Sequence, residues 1–161
     1  MEDHAYDLER STFDGCVMSL NEKYDDQNVF AKIVRGEAPA FKIFEDDVAI
    51  AFLDIFPQSK GHSLVIPKSY GATNFLTASE EVLQPLILRT QQVARGIVKA
   101  LSPDGVRLIQ FNGAPAGQTV FHLHFHIIPV YEGEALKPHA GEKADFAELE
   151  KLAERIRPEM K

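Results

Sequence analysis

The sequence predicts an α+β fold built as one domain. Three observations carry this: two β-rich runs joined through Asp46-Asp47, a long stretch of helical periodicity over residues 77–101, and a segment over 118–129 in which apolar and polar side chains alternate. Of the 161 residues, 45% are hydrophobic, enough for one sizeable core, and no internal repeat or low-complexity segment divides them.

Residues 1–27 are polar, acidic and aperiodic, which reads as a flexible N-terminal arm ahead of a domain spanning 28–161. Met18, followed by Ser19-Leu20-Asn21, is a candidate initiator inside that arm. A short helix is expected over 26–34, with Asp26 as N-cap candidate, Val29, Phe30, Ile33 and Val34 on a common side, and Arg35-Gly36 ending it. Residues 41–45 and 48–53 form a hairpin, and Asp54 leaves its second strand. A third strand over 62–67 opens with His62 after Lys60-Gly61.

Thr77-Ala78-Ser79-Glu80 has a capping-box pattern, and Leu83, Leu86, Ile87, Val93, Ile97, Val98 and Leu101 recur at helical spacing. Pro85 predicts a break or kink before a continuous helix to about Leu101. Ser102-Pro103-Asp104-Gly105 turns the chain into a strand over 106–111, expected to pair antiparallel with the histidine-bearing strand across the 113–117 loop. A last amphipathic helix is expected over 145–156, with Phe146, Leu149, Leu152, Ala153 and Ile156 on one side. His139, in the loop before it, reads as a surface residue.

Alternation over 118–129 puts Val120, His122, His124, His126 and Ile128 on one face of a strand and Phe121, Leu123, Phe125 and Ile127 on the other. The apolar row serves a core. The imidazoles form a ladder with steps of roughly 6–7 Å. Side chains that titrate near neutral pH are costly to bury without a purpose. Three readings compete for the ladder: a solvent-facing polar strand face, a zinc site using histidines at i and i+2, and nucleophilic catalysis by the middle histidine. Upstream, Asn112-Gly113-Ala114-Pro115-Ala116-Gly117-Gln118-Thr119 is a small-residue loop whose glycines let backbone N–H groups approach an anion. Gln118 and Thr119 add side-chain donors at its rim. A phosphate cradle beside imidazoles points to phosphoryl or nucleotidyl transfer.

The run His122-Leu123-His124-Phe125-His126-Ile127-Ile128, preceded by Ala116-Gly117-Gln118-Thr119-Val120, resembles the signature of the histidine triad superfamily of nucleotide hydrolases and transferases. The resemblance extends over about residues 28–130, through Phe30-Ala31-Lys32-Ile33-Val34-Arg35-Gly36-Glu37, Phe52-Leu53-Asp54-Ile55-Phe56-Pro57-Gln58 and Gly61-His62-Ser63-Leu64-Val65-Ile66-Pro67-Lys68. It implies a half-barrel of antiparallel strands with a packed long helix, and a homodimer in which two sheets join through that helix and a strand. It also implies a purine nucleotide or nucleotide conjugate as ligand, with no cofactor. By resemblance His124 is the nucleophile, forming a nucleotidyl-histidine, and His126 supplies the leaving group's proton. His122 and His62 orient the site, and Gly117, Gln118 and Thr119 hold the phosphate. Asp54 accepts from ribose hydroxyls, and Val29, Phe30 and Ile33, with Phe52 and Ile55, complete the nucleoside site.

The implied activity is hydrolysis of purine nucleoside monophosphate conjugates of the adenosine 5′-phosphoramidate type. The alternatives are a dinucleoside polyphosphate hydrolase, a metal-binding protein and a nucleotide-binding regulator with little turnover. Many bacterial members of the family carry Cys-x-x-Cys in the first helix and a histidine after the third strand as a zinc site. Here Asn28, Ala31 and Tyr70 stand there, so no metal is expected. Phe111 stands where an Asn or Gln is usual near the nucleophile, Asn112 beside it faces the other way, and Val130 replaces a common basic residue.

A net charge of −7 argues against nucleic acid held on a basic face. One cysteine, Cys16, cannot form an internal disulfide, and no apolar run marks a secretory signal or a membrane span, so the expected compartment is the cytoplasm.

Overall fold

The computed structural model describes residues 20–161. Met18 and the first part of the expected arm lie outside them. The described elements are α1 (Val29–Val34), β1 (Lys42–Glu45), β2 (Ala49–Leu53), β3 (Ser63–Pro67), α2 (Glu80–Leu101), β4 (Gly105–Ile109), β5 (Phe125–Val130) and α3 (Phe146–Ile156). The strands form one antiparallel sheet in the order β1-β2-β3-β5-β4. This is the expected α+β architecture.

Residue parity divides the sheet into two buried faces. On one, Ala49, Ala51, Leu53, Val65, Phe125 and Ile127 meet Leu86, Val93, Ile97 and Leu101 of α2 and Leu149, Ala153 and Ile156 of α3 in the main core. On the other, Ile50, Phe52, Leu64 and Ile66 pack against Phe30 and Ile33 of α1. β2 and β3 are therefore buried on both sides, and every even-numbered residue of β3 and β5 faces the α1 side. His62 and the triad share that parity.

Local chemistry fixes the ends of the elements. Asn28, rather than Asp26, caps α1: its Oδ1 accepts from the Ala31 N–H at 2.9 Å, while the Asp26 carbonyl accepts from Arg35. Asp46 closes the β1–β2 turn by accepting from the Val48 and Ala49 N–H groups, both at 2.9 Å. Asp145 caps α3 at the Glu148 N–H. Gly61, with φ of +89° and no room for a Cβ beside Leu101, lets β3 begin directly under the end of α2.

Further expectations need correction. α2 runs unbroken through Pro85 from an N-cap at Ser79. Pro85 lies early enough that the hydrogen bond it forfeits is near the helix start, and packing of Leu86, Thr90, Val93 and Ile97 holds the rest. The expected capping-box residue Thr77 instead accepts from the Thr73 and Asn74 N–H groups.

The histidine strand begins only at Phe125. Pairing with β4 ends at Ile109↔His126 and with β3 at Val65↔Phe125, so the residues before Phe125 have no neighbouring strand on either side. Their alternation persists without a ladder: Leu123 is in the main core while His122 and His124 face α1.

Residues 20–27 are not a free arm. The Leu20 carbonyl accepts from Asn74 Nδ2, and Tyr24 reaches into the α1 side of the sheet.

Candidate active site

Five of the six histidines of the chain meet on the α1 side of the sheet: His62 ahead of β3, His122, His124 and His126 entering β5, and His139 in the loop before α3. His62, His122, His124 and His126 are each no more than 5% exposed. Burial pushes the imidazoles of His62 and His122 down to about 4 and that of His126 to about 2, and it lowers that of His124 as well. All four are neutral at pH 7.

Each buried ring's tautomer follows from its partners. The Gln58 N–H donates to His62 Nδ1 at 3.0 Å, so His62 carries its proton on Nε2. That proton goes to His126 Nδ1 at 2.9 Å, with Asp54 Oδ2 3.5 Å from His62 Nε2. His126 therefore carries its own proton on Nε2, a donor with no partner among the described residues. His122 receives the Tyr24 hydroxyl on Nδ1 at 2.7 Å and donates from Nε2 to the Pro67 carbonyl at 3.1 Å. His124 donates from Nδ1 to the His122 carbonyl at 2.6 Å, which leaves the lone pair on Nε2. A neutral imidazole held by one nitrogen is a ready nucleophile at the other.

His124 and His126 border a cleft of about 350 Å³, within the range of small-molecule sites. One end is apolar, lined by Val29, Phe30, Ile33, Pro39, Phe52 and Leu64. Asp54, Ile55 and Phe56 lie along it, and Thr119, Val120, His124, His126, His139 and Ala140 line the rest. The predicted residues Val29, Phe30, Ile33, Phe52, Asp54, Ile55, Thr119, His124 and His126 thus share one cavity. His62 and His122 stand behind it as supports for His126 and His124. Asp54 plays two parts: Oδ1 accepts from the Phe56 N–H at 2.8 Å, as a turn residue does, and Oδ2 faces His62.

The small-residue loop departs from expectation. Its N–H groups turn inward: Ala116 and Gln118 donate to the Gly113 carbonyl and Gly117 donates to that of Ala114. The Gln118 side chain is buried, accepting from the Gly113 N–H and donating to the carbonyls of Thr73 and Val120. Gln118 is therefore a brace for the loop, not a donor at its rim. The loop closes on itself as a 3-10 turn ending at Gly117, whose φ is +107°. Phe111 packs edge-on against His126 with ring centroids 5.3 Å apart, and Asn112 faces away to accept from the Phe75 N–H.

Sequence reasoning missed Tyr24 and His139. His139 is half-buried rather than superficial. Its Nε2 donates to the Gly117 carbonyl at 3.1 Å, and its ring lies against Phe111 and His126. Neither residue has a local signal, because each contact joins distant parts of the chain.

Among the described residues, Asp54, His62 and His126 bring metal-ligand atoms within 4.8 Å of one another. The two facing nitrogens of that histidine pair are joined by their own hydrogen bond, which a metal would have to replace.

The HIT domain pattern matches residues 35–133. The chain belongs to the HIT family. It is 38% identical over 146 residues to adenylylsulfatase HINT3 of Arabidopsis thaliana, covering 91% of this chain and 73% of that protein. Among solved structures, a Hit-like protein of Bartonella henselae involved in cell-cycle regulation is 46% identical with a TM-score of 0.78, covering 84% of this chain and 98% of the other. A hypothetical histidine triad nucleotide-binding protein from Sulfolobus tokodaii is 37% identical with a TM-score of 0.74, covering 81% and 90%.

Proposed function

We propose that this chain is a nucleotide-binding hydrolase that cleaves purine nucleoside monophosphate conjugates of the adenosine 5′-phosphoramidate type through a nucleotidyl-His124 intermediate. The observation that carries the reading is the fixed tautomer of His124. Its Nδ1–H is committed to the His122 carbonyl, so its Nε2 lone pair is left free to act as a nucleophile in the cleft. The apolar end suits a purine ring, Asp54 suits ribose hydroxyls, and Thr119 with the His126 Nε2–H suits phosphoryl oxygens.

In this reading His124 Nε2 attacks the α-phosphorus and forms a P–N bond. The bond to the leaving nitrogen breaks with its electron pair, and that nitrogen takes up the Nε2 proton of His126, which enters the step as the imidazolium and is left as the neutral imidazole. Water then attacks phosphorus and returns a proton to His126, and the P–N bond to His124 breaks to release the nucleoside monophosphate. Negative charge on the bound phosphate opposes the depression of the His126 pKa, favouring its proton-carrying form during the reaction.

The test is release of adenosine monophosphate from adenosine 5′-phosphoramidate in the presence of a chelator. Wild type should turn over, and His124→Ala should lose at least about a hundredfold, the scale of a missing nucleophile or general acid–base group. Turnover that appears only with added zinc would assign the imidazoles to a metal instead. The Arabidopsis relative carries the name adenylylsulfatase, so adenosine 5′-phosphosulfate is the second substrate to assay.

We further infer a homodimer. The edge strand β4 exposes Val106 and Leu108, and α2 exposes Ile87, Leu88 and Val98. An open strand edge beside apolar side chains favours a second copy as its cover. We place the working compartment in the cytoplasm on the sequence grounds given above. No helix among the described residues is long and apolar enough to cross a membrane.

A further inference from the structure

We propose that His139 belongs to the substrate site, where it and His126 together read the leaving group for a hydrogen-bond donor. The inference rests on the hydrolase reading above and deepens it. The Gly117 carbonyl can only accept, so His139 carries a proton on Nε2, and in the neutral imidazole its Nδ1 is an acceptor. That nitrogen is buried and has no hydrogen-bond partner among the described residues. The neighbouring His126 presents the opposite sense, an Nε2–H that is also buried and unpartnered. The two rings lie 5.5 Å apart, and both line the cleft.

The order of the rings identifies which part of a substrate they meet. Phe30 of the apolar end packs on His124 at 4.9 Å, His124 on His126 at 5.0 Å, and His126 on His139 at 5.5 Å. A nucleoside against Phe30 with its phosphorus at His124 directs the leaving group toward His126 and His139. One donor beside one acceptor complements a group that both accepts and donates, such as an amine or amide nitrogen bearing hydrogen, or a hydroxyl. A fluoride or sulfate leaving group without hydrogen leaves the acceptor unmatched, and an unmatched buried polar group is where discrimination arises.

The backbone supports the placement. Ala140, directly after His139, adopts φ of +50°, a conformation uncommon for a non-glycine residue, as the chain bends into the cleft wall. Phe111 closes the site from behind, touching both rings and lying under Gly117. Phe111 therefore fits this chain as the packing partner of His139.

The experiment compares wild type with His139→Phe, which keeps a ring against Phe111 and His126 but removes the acceptor. Two substrates are used: adenosine 5′-phosphoramidate, whose leaving nitrogen bears hydrogen, and adenosine 5′-phosphofluoridate, whose leaving atom bears none. The readout is the ratio of their kcat/KM values, which a general loss of folded protein does not move. The variant should lower the preference for the phosphoramidate by about tenfold, the value of one buried hydrogen bond. An unchanged ratio would overturn the role of His139 even if both rates fell. Silence of the wild type on both substrates would remove the hydrolase reading, and this role with it.

Discussion

Tyr24 shows how much a single hydroxyl can decide in this site. Burial raises its pKa, so it stays protonated and donates to His122 Nδ1. That bond sets the tautomer of His122, whose carbonyl in turn holds His124. Tyr24→Phe should lower kcat/KM about tenfold and cost about 1 kcal/mol in stability, read by steady-state kinetics and urea unfolding. A rate equal to wild type would show that the His122 carbonyl suffices alone. The histidine ladder was legible from the chain because alternation is a local signal; Asp54 was singled out only through the family resemblance, since a carboxylate leaving a strand reads by itself as a turn residue. Tyr24 and His139 were not legible, because their partners lie 98 and 22 residues away.

Among the elements, β4 is the least covered. Leu108 pairs with Ile127 and so faces the α2 side, yet it remains 52% exposed because α2 lies over the inner strands. In the proposed homodimer this corner is the contact. Leu108→Glu should convert a wild-type dimer to monomer in sedimentation velocity at micromolar concentration, since a charge buried in an apolar interface is strongly unfavourable. A monomeric wild type would dismiss the interface. The periodicity of α2 and the hairpin of β1 and β2 could be read directly, because each follows from contacts close in sequence. The true start of β5 could not, because a ladder exists only where neighbouring strands reach.

For the molecule as a whole, the imidazole cluster ties stability to pH. His62, His122 and His126 have depressed folded-state pKa values, so between their ordinary value near 6.5 and their folded values the unfolded chain binds more protons than the folded one. Stability is therefore greatest above about pH 6.5 and falls as pH drops toward 4, by several kcal/mol on the order-of-magnitude scale of such linkage. Urea midpoints at pH 7.5 and 5 should show the loss, and His122→Asn should reduce it; equal midpoints would contradict neutral burial of the cluster. The sequence by itself determined the elements, the face on which the triad lies and the family, since these rest on periodicity and on contiguous motifs. Only the tertiary structure decided which protons the rings carry, that the 113–117 loop spends its N–H groups on itself, and that Tyr24 and His139 complete the site. Those outcomes depend on hydrogen-bond partners that folding alone brings within 3 Å or so of one another.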